Sequence, residues 1–201
     1  MTRRLTSFAE VIESSLTTYT AQCWQWNQYP IFGSLVQVTD HTRTIYGIVT
    51  DAQTGSIDPS RTPMAYQKTE EELLAQQPHI FEFLKTSFTV HLCGYREGAD
   101  GEIVYTLPPS PCKIHAFVAP CDRPAVTAFF SSGQFLEVLF SGLNQIPNFD
   151  ELLIALMRNL KNEGTLSPHF LEDVAHTFAL LTGNDYRRIK LLLRRTEQML
   201  G

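Results

Sequence analysis

The sequence predicts an α+β protein: an N-terminal antiparallel β-barrel with one inserted helix, followed by a small C-terminal helical bundle. Three observations carry that prediction. Up to about residue 120, apolar residues recur in short alternating runs rich in β-branched and aromatic side chains, as strands require. Beyond residues 120–124 the apolar spacing changes to that of amphipathic helices. The 201 residues are 43% hydrophobic and 18% charged, enough to bury a core of ordinary size and inconsistent with disorder. The expected organisation is therefore a barrel over residues 1–121 and a helical domain over 122–201.

The β half divides into seven candidate strands. Residues 8–14 and 19–26 come first, then 34–38 and 44–50 around a polar turn at Thr39, Asp40, His41 and Thr42. Residues 87–95 and 102–107 flank a Gly98–Gly101 hairpin loop, and 113–119 close the series. Few helices separate these runs, which favours an antiparallel barrel or sandwich over a parallel sheet. The inserted helix starts at Thr69, followed by Glu70, Glu71 and Glu72. Thr69 and Glu72 have capping-box spacing, and the carboxylates suit the positive end of the helix dipole. Pro78 should split that helix near Gln77.

The helical half starts with a short helix across 135–143. Asn148 and Glu151 suit the start of the next helix, with Leu152, Leu153, Leu156, Met157 and Leu160 on one face and a stop at Gly164. Ser167 and Pro168 open another, whose stripe is Phe170, Leu171, Val174, Phe178 and Leu181, ending at Gly183. A last helix from Asn184 carries Tyr186, Ile189, Leu192, Leu193 and Leu200. Short connections favour antiparallel neighbours.

In order along the chain, residues 9–15, 20–23, 32–38, 45–50, 69–74, 77–81, 94–95 and 107–118 resemble the HerA/ATP-synthase (HAS) barrel family over roughly residues 8–120. The resemblance lies in the order of strands, in glycines such as Gly33 and Gly47, and in the Leu107, Pro108, Pro109, Ser110, Pro111 turn. It implies a barrel used for assembly or docking. In that family's ATPases a nucleotide-hydrolysing core follows the barrel. Here no Gly-x-x-x-x-Gly-Lys-[Ser/Thr] occurs, and the residues after Cys121 read as helices, so ATP hydrolysis does not carry over.

Catalytic chemistry finds little support. The six histidines are scattered; His169 and His176 are two helical turns apart, and His91 and Cys93 share a strand face, but neither pair completes a metal set. Neither Gly-x-Ser-x-Gly nor His-Glu-x-x-His is present. No catalytic residue, metal or cofactor is expected, and a non-enzymatic protein is. The four cysteines are dispersed, with no Cys-x-x-Cys, and the first residues lack the apolar region of a secretory signal. A reducing, cytoplasmic setting is the expectation, with the thiols serving as small apolar residues. No run approaches the ~20 apolar residues of a membrane span.

Charge is uneven. The chain's net charge is −5, yet residues 184–201 hold Arg187, Arg188, Lys190, Arg194 and Arg195 against Asp185 and Glu197. Arg187, Lys190 and Arg194 share a face opposite the leucines. That face is either an ordinary solvated surface or a patch for phosphates or an acidic partner. Trp24 and Trp26 alternate onto one strand face, as core, edge anchor or interface. The function expected is an adaptor or assembly factor that binds a protein partner, as part of a larger complex such as a ring ATPase; an oligomer is compatible with it. The alternative is an accessory nucleic-acid binder of a DNA translocase or repair system, using the five cations of the last helix.

Overall fold

A computed structural model describes residues 7–40, 42–166, 168–181, 183 and 186–200. Among these residues seven strands form one antiparallel sheet: β1 (Ala9–Ser14), β2 (Thr18–Cys23), β3 (Leu35–Thr39), β4 (Arg43–Ser56), β5 (Leu84–Glu97), β6 (Ile103–Val104) and β7 (Phe117–Pro120). The order β2-β1-β7-β3-β4-β5, with β2 also paired to β5, closes six strands into a barrel. The two-residue β6 lies outside the ring, on β5. The helices are α1 (Glu70–Gln76), α2 (Arg123–Phe129), α3 (Phe135–Ser141), α4 (Phe149–Glu163), α5 (Pro168–Leu181) and α6 (Tyr186–Leu200). The architecture is α+β, as the residue pattern predicts.

Inside the barrel, Ala9, Val11, Tyr19, Ala21, Val36, Val38, Val49, Phe88, Val90 and Val118 fill the lumen. Outside it, Leu35, Tyr46, Ile48 and Cys93 join residues of α2–α6 in a second core. β4 serves both, which explains its sequence: every residue from Thr44 to Thr50 is buried, so the run is nearly continuous rather than alternating. The aromatic centre of the second core is Phe129, which packs on Tyr46, Tyr105, Phe130 and Phe135 at ring separations of 5.1–5.8 Å.

Two glycines permit this layering. A Cβ on Gly47 would lie 2.4 Å from Val90 Cγ1, where β4 and β5 approach at a register shift. Gly33 has φ +78°, and a Cβ there would meet the backbone nitrogen of Leu156 at 2.9 Å; the loop before β3 lies directly on α4.

Departures from the sequence pattern trace to particular contacts and backbone angles. β6 stops at Val104 because Tyr105 leaves the sheet to pack on Phe129, its hydroxyl donating to the Phe129 carbonyl at 2.7 Å. β7 begins only at Phe117 because His115 has a left-handed backbone, φ 66°. α2 adds a helix ahead of the one that the spacing predicts across 135–143; Asp122 caps it, accepting from the Ala125 N–H at 2.9 Å. Asn148 does precede α4, but in a left-handed conformation and without a side-chain cap, while Glu151 pairs with Arg195 instead. In α5 the residues Phe170, Val174 and Phe178 are buried but Leu181 is half exposed, and in α6 Leu192 is buried while Leu193 is not. His41, Ser167, Asn184 and Asp185 lie outside the described residues, as do the side chains of Tyr186, Ile189 and Leu200.

Candidate functional site

β4 and β5 continue past the last β2–β5 pair as a short two-stranded ribbon, Thr54–Ser56 against Leu84–Thr86, and the chain between them forms an excursion over residues 57–83. Its helix α1 forms as its residues dictate. The Thr69 hydroxyl accepts from the Glu72 N–H, the Glu72 carboxylate accepts from the Thr69 N–H, and the helix ends at Gln77 before Pro78. Pro78–Phe83 then form a 3-10 turn. Neither α1 nor this turn contains a buried residue, so the excursion covers little of its own apolar surface. Ile57, Met64, Tyr66, Leu74 and Phe83 are exposed, Met64 by 76%. A cavity of about 560 Å³ opens among them, lined by Met64, Tyr66, Leu73, His79, Phe81 and Phe83. Arg61 lies over the Phe83 ring at 5.5 Å and pairs with Asp58 at 3.4 Å.

Trp24 and Trp26 meet the edge of this surface, but not as a strand pair. β2 ends at Cys23, and both tryptophans sit in the bend after it, facing different neighbours. Trp26 stacks on Phe81 with centroids 5.5 Å apart, and its carbonyl accepts from the Thr86 hydroxyl. The β2–β3 loop is thereby fixed to the excursion. Trp24 turns to the barrel wall, edge-on to Phe117 at 5.3 Å, its indole N–H donating to Glu10 at 3.1 Å. Farther along the loop Tyr29 and Ile31 are 58% and 65% exposed. Residues 14–39 contain no Lys, Arg, Asp or Glu. An exposed aromatic loop without charge has the composition of an interface centre. That charge-free run was the available signal; the exposed side chains of residues 57–83 gave none, because irregular segments lack a period.

The cations of α6 divide into two groups. Arg188 makes a bidentate pair with Asp150, its shortest contact 2.7 Å, and lies over Phe178 at 5.3 Å. Arg195 pairs with Glu151 at 2.7 Å. Both therefore hold α6 to the first turn of α4. Arg187, Lys190 and Arg194 are exposed.

No group of three or more His, Cys, Asp or Glu side chains converges among the described residues. His91 and Cys93 do share a face, yet it is the buried one beneath α3; Gly142 lies so close that a Cβ would be 2.2 Å from His91 Cε1. Burial holds the His91 ring below its ordinary pKa, with the Val138 carbonyl opposing. All four thiols are free, and burial pushes Cys23 up to about 11 and Cys112 to about 12, so both stay protonated at neutral pH. His169 pairs loosely with Glu172, and His79, His115 and His176 are exposed. No described helix is long and apolar enough to cross a membrane.

No curated protein matches the chain. Residues 8–98, which carry β1–β5 and the excursion, match the family model of the HAS barrel domain, the family that their order of strands and glycines resembles.

Proposed function

We propose that this protein is a non-enzymatic interaction module, an adaptor or assembly factor that docks through its barrel rim to a larger complex such as a ring ATPase. One observation carries the reading: apolar side chains are exposed on two segments, Tyr29 and Ile31 on the loop and Met64, Tyr66 and Phe83 on the excursion, and the Trp26–Phe81 stack joins the two segments. Surface of this kind marks interaction sites. The match to the HAS barrel domain adds an ATPase-associated context.

The nucleic-acid reading draws on the same α6 cations, but two of the five are engaged with Asp150 and Glu151. Three exposed cations on an acidic chain make a small electrostatic footprint. The test compares affinity capture by the native protein and by a Tyr29→Asp/Met64→Asp variant of equal thermal stability. The reading predicts a stoichiometric partner that the variant loses. Retention of every partner by the variant, or steeply salt-dependent DNA binding abolished by reversing Arg187, Lys190 and Arg194, overturns it in favour of the alternative.

A further inference from the structure

The loop that exposes Tyr29 and Ile31 also walls a second cavity, of about 350 Å³. The start of β3, the end of β7, α2 and α4 supply the other walls. Leu35, Val126, Phe130, Leu156 and Leu160 line it and are buried, whereas Tyr29 and Ile31 line it from the solvent side. The wall is fixed in place. Asn159 Nδ2 donates to the Phe32 carbonyl at 2.9 Å, Ser34 Oγ donates to the Ile31 carbonyl at 2.6 Å, and the Trp26–Phe81 stack holds the start of the loop. A preformed cavity spares its occupant the cost of ordering the loop.

The charge in this cavity has one sign. Among its lining residues only Glu163 has a charged side chain, and that side chain is exposed. Arg123 donates to the neighbouring Gly164 carbonyl at 3.2 Å, and Glu163 has no ion pair among the described residues. Cys121, half-buried in the lining, is pushed above its ordinary pKa by burial and then by the Asp122 and Glu163 carboxylates, with Arg96, outside the lining, opposing. The complement of an apolar cavity with one free carboxylate is an apolar group with a cation beside it. Tyr29 and Ile31 stay largely open next to the cavity, an apolar margin suited to a polypeptide rather than to a small molecule.

We infer that the cavity takes one apolar side chain of a protein partner, with a Lys or Arg adjacent to it in the partner's chain facing Glu163. This rests on the reading of the Tyr29–Ile31 loop as a docking surface and names what docks there.

Selection of a phage-displayed random heptapeptide library on the full chain tests it. Enriched sequences should carry an apolar residue within two positions of Lys or Arg. The tightest of them, as a capped peptide, should slow maleimide alkylation of Cys121, the one cysteine of the four that is not buried, as read by mass spectrometry. By fluorescence anisotropy, Glu163→Gln should weaken that peptide roughly two- to fivefold, as loss of an exposed ion pair does. Ile31→Asp should weaken it roughly tenfold or more, as loss of an anchor contact does. Both positions are exposed, and an unchanged Tm is the control for folding. A selection that enriches nothing, or enriches peptides without a cation, overturns the inference. So does a peptide that leaves Cys121 unprotected or binds Glu163→Lys as tightly as the native chain. Self-association of the native chain that Ile31→Asp abolishes would place a second copy in the cavity and overturns it as well. In each case, loss of a captured partner by Tyr29→Asp/Met64→Asp would still leave the rim as a docking surface.

Discussion

Gly142→Ala is the most diagnostic single change in the core. At an ordinary helix end with φ −89°, replacing glycine by alanine costs no backbone strain. It stabilises by about 0.4–1 kcal/mol through the unfolded state. Here the added Cβ would stand 2.2 Å from Cε1 and 2.5 Å from Nε2 of His91, a residue 1% exposed. A carbon–carbon contact needs more than 3 Å, so the ring or the end of α3 must move by about 1 Å through a close-packed layer. Overpacking of that kind costs about 1–3 kcal/mol. For a chain of this size each kcal/mol lowers Tm by about 2–4 °C, so a drop of several degrees is expected, read by calorimetry or urea titration. In a His91→Ala background the obstructing ring is gone and the Gly142→Ala cost should shrink by at least 1 kcal/mol, a coupling measurable in a double-mutant cycle. A stabilising Gly142→Ala, or full additivity with His91→Ala, would refute the packing of α3 on β5.

Three further outcomes follow from the geometry. Because burial lowers the His91 pKa, the unfolded chain takes up this proton first as pH falls. Its contribution is complete above about pH 6.5 and lost progressively below it, and urea midpoints between pH 5 and 7 should show that slope in the native chain but not in His91→Leu. Arg188→Met should cost about 1–2 kcal/mol, since it breaks a bidentate pair one-third exposed and a contact with Phe178, whereas Lys190→Met should stay within about 0.5 kcal/mol. Thr69→Ala should weaken α1 by about 1 kcal/mol. As α1 buries nothing, the effect should appear as faster amide exchange over residues 70–77 with an unchanged global Tm.

Much of this fold is written in local chemistry. Thr69 and Glu72 state where α1 begins, Pro78 where it ends, and the leucines of α4 all face inward because their spacing has a helical period. What escapes is decided by groups remote in sequence. The end of β6 depends on Tyr105 finding Phe129, 24 residues on. Trp24 and Trp26 alternate in sequence as strand residues do, yet Phe117 and Phe81 draw them apart. Likewise, five cations on one helix look equivalent until Asp150 and Glu151 claim two of them. Net charge and periodicity register how many such groups exist, and only the tertiary pairing assigns their partners.

The closing strand carries a consequence for how the chain comes into being. β7 pairs Val118 with Ala9 of β1 and with Val38 of β3. Until residue 118 has been synthesised, β1 and β3 each present an open row of amides and carbonyls beside exposed valines. At ~5–20 residues per second that interval lasts about 5–20 s on the ribosome, long compared with hairpin formation. The β4–β5 ribbon can zip within it, being joined by the excursion alone, whereas the ring cannot. β5 ends at Glu97, before β7. A chain stopping there would keep both edges for good, and pairing with a neighbour in place of β7 is the expected fate.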